Sequence, residues 1–453
     1  MLTEIGISNF KAWRHLPSMR MAPLTALFGI NSAGKSSLLQ MLLLQKQTVE
    51  SADRTQVLNL GDKRSFLELG AFSDIAYRHN PDASIGWQLE WTLPKELQIR
   101  DEETGAIRLK AQRLRFEASV ITNGNGRPLL DNFHYTFANH KFGMRKNPGQ
   151  SNGYDLQVDP DDFFKRTRGR PWDLPAPVRC YGFPDRVKAS YQNSGFLSDF
   201  ALAYEDLFSR LYYLGPLRDY PQREYTWGGS EPSDMGTRGE RVIDALLSAR
   251  QKGKTISPGR HRPKRSLEEH VAKWLMQLGL IHSFRIEELA PSSNLYRVLV
   301  RRNPDAPEVL LTDVGFGVSQ VLPVLALCFY VPEGSIILLE HPEIHLHPSV
   351  QAGLADVLID AITNRNVQIL LESHSEHLLQ RLQRRIAEET LPLDKVALYF
   401  CGISNQGATL TDLKMNLYGE IENWPENFFG DEFGEITATQ LAALKRKSQA
   451  APK

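Results

Sequence analysis

Eight residues, Gly29-Ile30-Asn31-Ser32-Ala33-Gly34-Lys35-Ser36, constrain this chain more than any other stretch, because they satisfy the G-x-x-x-x-G-K-[ST] pattern of a phosphate-binding loop. The apolar run Leu24 to Phe28 precedes them, and the amphipathic Ser37-Leu38-Leu39-Gln40-Met41-Leu42-Leu43-Leu44 follows. The loop is therefore expected between a buried strand and a helix, which is the setting the motif requires. Glycines let backbone N–H groups come close to a triphosphate at a helix N-terminus, whose positive end favours the anion. In that arrangement Lys35 is expected to reach the β- and γ-phosphates of ATP, and Ser36 to hold Mg²⁺. A glycine turn with an incidental Lys-Ser is the weaker alternative, since motif and context agree.

At 453 residues the chain exceeds one ordinary domain, so a large core with a second lobe or insertion is expected. Lys plus Arg and Asp plus Glu both number 53, so any nucleic-acid contact has to come from a local patch and not from global charge. Cys180, Cys328 and Cys401 lie far apart without metal-type spacing, which speaks against a disulfide framework and a zinc site and fits a reducing cytoplasm. Met1 to Ile5 lacks the basic and apolar regions of an export signal, and the apolar Val318 to Val331 is interrupted by Pro323 and too short for a bilayer. A soluble, cytoplasmic protein with no membrane association is expected.

Upstream of the loop stands Ile7-Ser8-Asn9-Phe10-Lys11, and after a gap Pro23 runs through the loop to Ser37. Together these resemble the opening of ABC-type ATPases of the SMC, RecF and OLD-like group, in which Asn-Phe-Lys/Arg precedes the loop and Asn sits inside it. The resemblance implies an α/β fold, an ABC-type P-loop ATPase head with an antiparallel β-subdomain and a helical insertion, using ATP and Mg²⁺. It implies nucleotide contacts from Lys11, Gly29, Asn31, Ser32, Ala33, Gly34, Lys35, Ser36 and Ser37. For Lys11 a surface lysine on an edge strand remains open. Phe66 to Ile75 lies where such ATPases sense γ-phosphate and metal, but it has no glutamine. Gln45 and Gln47 sit on the helix, and Asp74 is either a polar substitute or a plain helix start.

From Ser84 to Val158 the pattern alternates as strands do, with aromatics interleaved: Trp87, Trp91, Phe116, Phe133, Tyr135 and Phe137. Alternating strands pack aromatics in a core more often than they offer a stacking face to nucleic acid. Asp161 to about Leu280 reads as mostly helical, an inserted arm or lid. Within it, Arg218 follows Gly215-Pro216-Leu217, a rigid turn suited to contact with a phosphate or a carboxylate. Arg250 to Arg265 contains no acidic residue, so Lys252, Lys254, Arg260, Arg262, Lys264 and Arg265 are candidates for a nucleic-acid backbone; a solvated loop explains them as well. The expected organisation is an N-terminal ATPase lobe (1–83), a β-subdomain (84–160), a helical insertion (161–282), a C-terminal ATPase lobe (283–408) and a tail element (409–453).

Thr312 to Gln320 places Gly315, Gly317 and Ser319 at a strand-to-helix junction, a second anion-binding helix start. It resembles a divergent ABC signature, which in that group acts on the γ-phosphate held by the other subunit. One loop and one signature per chain then imply a head-to-tail homodimer or a higher oligomer. Ser335 to Leu339 is an apolar strand ending at Glu340, a candidate ligand for Mg²⁺ opposite Ser36. His341-Pro342-Glu343-Ile344-His345-Leu346-His347-Pro348 resembles the group's acidic stretch, except that His341 stands where the water-activating glutamate is usual. His341 and Glu343 are alternative bases. His341, His345 and His347 fit no closed zinc ligand set. Gln368 to Leu371 is a further apolar strand leading to Glu372-Ser373-His374-Ser375, and the resemblance implies that His374 contacts the γ-phosphate. Glu422 to Phe429 is expected to expose aromatics for docking.

The resemblance implies an ATPase whose nucleotide-gated dimerisation controls a nucleic-acid-processing or antiphage complex, in a branch resembling the Septu PtuA phage-defence ATPases. DNA or RNA and a separate nuclease subunit would be its partners. The alternative is an ATP-dependent scaffold or sensor acting on protein partners without nucleic acid.

Overall fold

In the computed structural model, which describes residues 1–453 apart from 124, 150–152, 161–162, 168, 170–172, 258, 260–262, 292, 426–427, 430–436, 444–445 and 447–453, the run before the phosphate loop is the strand Leu24–Gly29, buried at every position. A strand apolar on both faces needs a packed layer on each side. It lies inside a six-stranded sheet in the order Leu211–Leu214, Ile336–Glu340, Gln368–Glu372, Leu24–Gly29, Val396–Ser404 and Gly407–Asp412. The first five strands are parallel and the last is antiparallel. In register, Glu340 lies opposite Glu372, and Glu372 opposite Leu27. The carboxyl ends of these strands form one edge, where open α/β sheets bind their ligands.

Period-two alternation divides each parallel strand between two cores. Leu27, Leu338 and Leu370 face one apolar cluster, shared with the phosphate-loop helix Lys35–Glu50 and the inner face of a second sheet. Leu24, Ala26, Phe28, Ile337, Leu339, Ile369 and Leu371 face the other, covered by helices Val242–Gln251, Leu267–Gln277, Phe316–Tyr330, Pro348–Asn364 and Glu376–Ala387. The second sheet is antiparallel and seven-stranded, in the order Trp13–Arg20, Leu2–Phe10, Ile85–Arg100, Ile107–Thr122, Pro128–Phe137, His140–Lys146 and Tyr154–Asp159. Its aromatics Trp87, Trp91, Phe116, Phe133, Tyr135 and Phe137 are buried, so none is available to stack on a base. The phosphate-loop helix even buries polar Gln45, whose Oε1 accepts hydrogen bonds from Tyr204 Oη at 2.9 Å and Cys180 Sγ at 3.5 Å. Such partners let a helix be buried on nearly all sides.

The architecture is an α/β P-loop ATPase head with an antiparallel β-subdomain, and three of the expected boundaries are redrawn by it. Leu2–Phe10 pairs with Ile85–Arg100, so the division at 83/84 cuts through one sheet. The helical insertion is present, but it is no free-standing arm or lid. Its strand Leu211–Leu214 completes the parallel sheet, and its helix Leu197–Ser209 packs on the phosphate-loop helix. The tail element starts inside the edge strand Gly407–Asp412. Phe428, expected to be exposed for docking, is buried with its ring 6.0 Å from Phe28 and 5.0 Å from Phe400, because the outer face of the loop strand needs cover; Trp424 remains exposed. Among the described residues no helix is long and apolar enough to cross a membrane. The three cysteines are free, and burial pushes each thiol up to about 12.

Candidate functional site

The phosphate loop is shaped by backbone that turns left-handed at Ser32 (φ 62°) and Gly34 (φ 84°) just before the helix begins at Lys35. Asn31 and Ser32 are exposed at its crest, Ser36 is half-buried, and Ala33, Gly34, Lys35 and Ser37 are buried. Trp13 Nε1 donates to Gly34 O at 2.9 Å and ties the loop to the antiparallel sheet. Lys35 Nζ donates to Gly29 O at 3.1 Å and Ile30 O at 2.8 Å, and lies 3.8 Å from Glu372 Oε1. Burial lowers the Lys35 pKa, and the Glu372 charge opposes that shift. Lys11 Nζ donates to Gln40 Oε1 at 2.6 Å, which places it against the loop helix just beyond Ser36 and Ser37. It is half-buried, with its pKa lowered by that burial, so it is not a surface lysine. Asp74 Oδ2 accepts from Ala71 N at 2.8 Å and starts a helical turn, whereas Gln45 and Gln47 face inward, Gln47 donating to Asn59 O.

Two strand-end acids face this loop. Glu340 accepts from Tyr213 Oη at 3.0 Å, and its carbonyl accepts from Arg218 Nη2 at 3.4 Å. Burial, with the neighbouring Glu372 charge, raises the Glu340 carboxyl to about 7. Arg218 is itself buried, its Nε and Nη1 have no partner among the described residues, and burial lowers it to about 10 against the pull of Tyr213, Glu343 and Glu340. Its hydrogen bond goes to the Glu340 carbonyl, not to a carboxylate, and the Glu343 and Glu340 charges act on it from farther away. Glu372 was not anticipated as a site residue, although its signal, an apolar strand stopping at an acid, is the one that marked Glu340. Its Oε1 lies between Lys35 and His341, 3.6 Å from His341 Nε2, and its buried Oε2 has no partner among the described residues.

His341 turns the chain left-handed (φ 44°) and stacks on His374, with centroids 5.1 Å apart and planes 11° from parallel. Glu343 Oε1 lies 3.8 Å from His341 Nδ1 and accepts His374 N at 2.8 Å. Burial works against the Glu343 charge, but His341 and that N–H hold its carboxyl below the usual range. The Glu343 carboxylate raises the His341 imidazole. Burial, then the Lys35 charge, lowers His374 to about 4, so it is neutral near pH 7. His345 instead packs edge-on against Phe316, and His347 Nδ1 accepts from Ser349 N to cap the helix Pro348–Asn364.

Gly315 is the N-cap of the helix Phe316–Tyr330 and is exposed, and Gly317 is half-buried. Ser319 is corrected as an anion ligand: it is buried, and its Oγ donates to Phe316 O at 2.8 Å in its own helix. In the basic run, Arg260 and Arg262 lie outside the described residues. Lys252 pairs with Glu231, while Lys254 donates to Tyr330 O and covers that ring at 4.8 Å. Arg265 is half-buried in a short strand, leaving Lys264 exposed. Local partners thus take two of the expected phosphate contacts.

The donor set fits a nucleotide with Mg²⁺. Among the described residues buried Glu343 Oε2 lacks a donor, Arg218 Nε and Nη1 lack acceptors, and Lys35 is turned back onto loop carbonyls. An anion–dication pair completes such an arrangement. The cost of the buried acid gives a measurable consequence. A carboxyl whose pKa is about 7 folded and 4.5 unfolded stabilises the fold below 4.5, and that contribution is lost as pH rises to 7, at most about 3 kcal/mol. Glu340→Gln, in chelator and without nucleotide, is therefore expected to gain in melting temperature over the parent as pH rises from 4 to 8; equal pH slopes for the two proteins would refute the assignment.

The family described as "AAA domain, putative AbiEii toxin, Type IV TA system" (AAA_21) matches residues 24–380, well over half of the chain. "Protein of unknown function (DUF3696)" matches residues 391–438. No curated protein matches. Solved structures with similarity include an SmcHead bound to the C-winged helix domain of ScpA, at 9% identity and TM-score 0.44, covering 91% of this chain and 98% of that one. The SMC head domain from Thermotoga maritima gives 10% and 0.40, with 91% and 99% covered. An Smc head domain with an extended coiled coil, bound to the C-terminal domain of ScpA derived from Pyrococcus furiosus, gives 10% and 0.44, with 91% and 96% covered.

Proposed function

The chain belongs to the AAA_21 family, and on that premise we propose that it binds and hydrolyses ATP in a head-to-tail homodimer whose opening and closing governs an antiphage or nucleic-acid-processing complex with a separate nuclease subunit. The observation that carries the reading is the convergence of Lys35, Glu340, Glu372, His341 and His374 at the carboxyl ends of neighbouring parallel strands. Lys35 and the loop N–H groups hold the phosphates, with Gly29, Asn31, Ser32, Ala33, Gly34 and Ser37 forming the cradle. Ser36 and Glu340 would hold Mg²⁺, which neutralises charge on the transferring phosphoryl group. His341 accepts the proton of the attacking water, and Glu343, 3.8 Å from Nδ1, orients the ring. His374, neutral, reports the γ-phosphate. Gly315 and Gly317 of the second subunit close the site, and an output by dimer closure follows because each site is incomplete without that subunit. The family's description as a toxin of a toxin–antitoxin system supports a defence role.

A second reading, a scaffold acting on protein partners without nucleic acid, is favoured by the pairing of Lys252 and Lys254 within the fold. Light scattering without nucleotide, with ATP·Mg²⁺ and with a non-hydrolysable analogue, alongside phosphate release, tests the proposal. Dimer mass with ATP and measurable release are expected. A monomer indifferent to nucleotide, with no release, would sink it. Electrophoretic binding of DNA and RNA across a salt series separates the two readings, since backbone contacts weaken steeply with salt.

A further inference from the structure

We infer that His341, Glu372 and His374 form a binding site for a borderline-soft divalent ion of the Zn²⁺ class, separate from the Mg²⁺ ligands Ser36 and Glu340. One donor atom from each residue lies within 4.8 Å of the other two. His341 Nε2 is 3.6 Å from Glu372 Oε1, and the two imidazoles stack with centroids 5.1 Å apart. The second carboxylate oxygen of Glu372 is buried without a donor among the described residues, while the residue is only 3% exposed. A buried carboxylate oxygen in that position wants a cation. Lys35 approaches the other oxygen, at 3.8 Å, and leaves Oε2 open.

The surroundings have the form of a ligand shell. Glu343 stands behind the His341 ring, 3.8 Å from Nδ1, and accepts the backbone N–H of His374 at 2.8 Å. A carboxylate behind a ligating imidazole fixes its tautomer and orientation, leaving Nε2 of His341 to face the ion. Tetrahedral zinc, with bonds of about 2.0–2.2 Å, needs donors roughly 3.4 Å apart, so closure takes a movement of about 1 Å. His374 is exposed and can supply it by side-chain rotation. Two imidazoles with one carboxylate select zinc-like ions over Mg²⁺, which prefers oxygen ligands. Three protein ligands leave a fourth position open. The same imidazoles cannot ligate this ion and serve the attacking water and γ-phosphate at once, so the ion belongs to the nucleotide-free state of the chain.

The test is titration of the chelator-treated, nucleotide-free full chain with Co²⁺ as the spectroscopic probe. Expected is saturable binding of about one ion per chain, with the strong visible bands of a four- or five-coordinate site, displaced by Zn²⁺ and not by excess Mg²⁺. His341→Ala and His374→Ala should each weaken binding at least tenfold, and Glu343→Gln by about tenfold through the outer shell. His345→Asn, which lies outside the three ligands, should retain it. Circular dichroism identifies any variant that fails to fold, and His374→Ala, which removes an exposed side chain, keeps the test decisive if His341→Ala does fail. No saturable Co²⁺ binding, or bands that survive the His341→Ala/His374→Ala double change, would overturn the site. ATP·Mg²⁺ binding in the same samples reports on the nucleotide reading separately.

Discussion

Lys35→Ala is expected to weaken ATP binding by more than a hundredfold while the protein stays folded. In the absence of nucleotide the ammonium group donates to Gly29 O and Ile30 O, so it waits inside the loop that the phosphates would enter. Hydrogen bonds from a cation are worth about 1.5–3 kcal/mol each, so losing two takes away about 3 kcal/mol or more, beyond a factor of a hundred. Folding is expected to survive, because His341 also faces Glu372, at 3.6 Å, while the lysine's own hydrogen bonds go to the loop carbonyls. Isothermal titration with ATP·Mg²⁺ measures the change. Affinity equal to that of the parent would reject Gly29 to Ser36 as the phosphate loop.

Gly29→Ala should have the largest effect on the fold. Gly29 has a φ of 135°, and a Cβ there would lie 2.0 Å from Cys401 O on the neighbouring strand. The two residues are paired in register, so the clash is with sheet backbone, which cannot rotate aside as a side chain does. Opening this pairing and straining the backbone should cost about 4 kcal/mol or more, a large share of the stability of an ordinary domain. Gly126→Ala is the control: its φ of 72° is also unfavourable, but an added Cβ meets nothing within 4 Å, so about 1 kcal/mol is expected. Chemical denaturation of both variants should separate them clearly. Similar losses would mean that backbone conformation alone, and not contact with Cys401, makes glycine necessary at position 29.

Much of the site was legible because its pieces are contiguous. The strand, loop and helix from Leu24 to Glu50, the acid at the end of Ile336–Glu340, and the polar tip after Gln368–Glu372 are each written in one short run of residues. The loop conformation depends on glycine and a helix start, both local properties. Alternation along Ile85–Arg100 likewise announced a half-buried antiparallel strand. These features follow from backbone geometry and from the periodicity of apolar side chains, which a sequence carries directly.

The partners of these pieces were settled by the order of strands in the sheet. His341 reads as one of three neighbouring histidines, yet its ring stacks on His374, thirty-three positions away, while His345 and His347 turn to Phe316 and a helix start. Glu372 becomes central only because its strand lies between those of Glu340 and the phosphate loop. The strand Leu211–Leu214 looked like part of a helical arm, and Arg218 reaches Glu340 because that strand joins the sheet beside it. Lys252 and Phe428 were legible as charged and aromatic, but not as paired and buried. The sequence by itself determined which residues could bind phosphate, end a strand as an acid or bury a face, since those are properties of single residues and short periods. Only the tertiary structure decided which of them meet, because contacts between distant segments depend on strand order and on what remains to be covered, and neither is encoded in local periodicity.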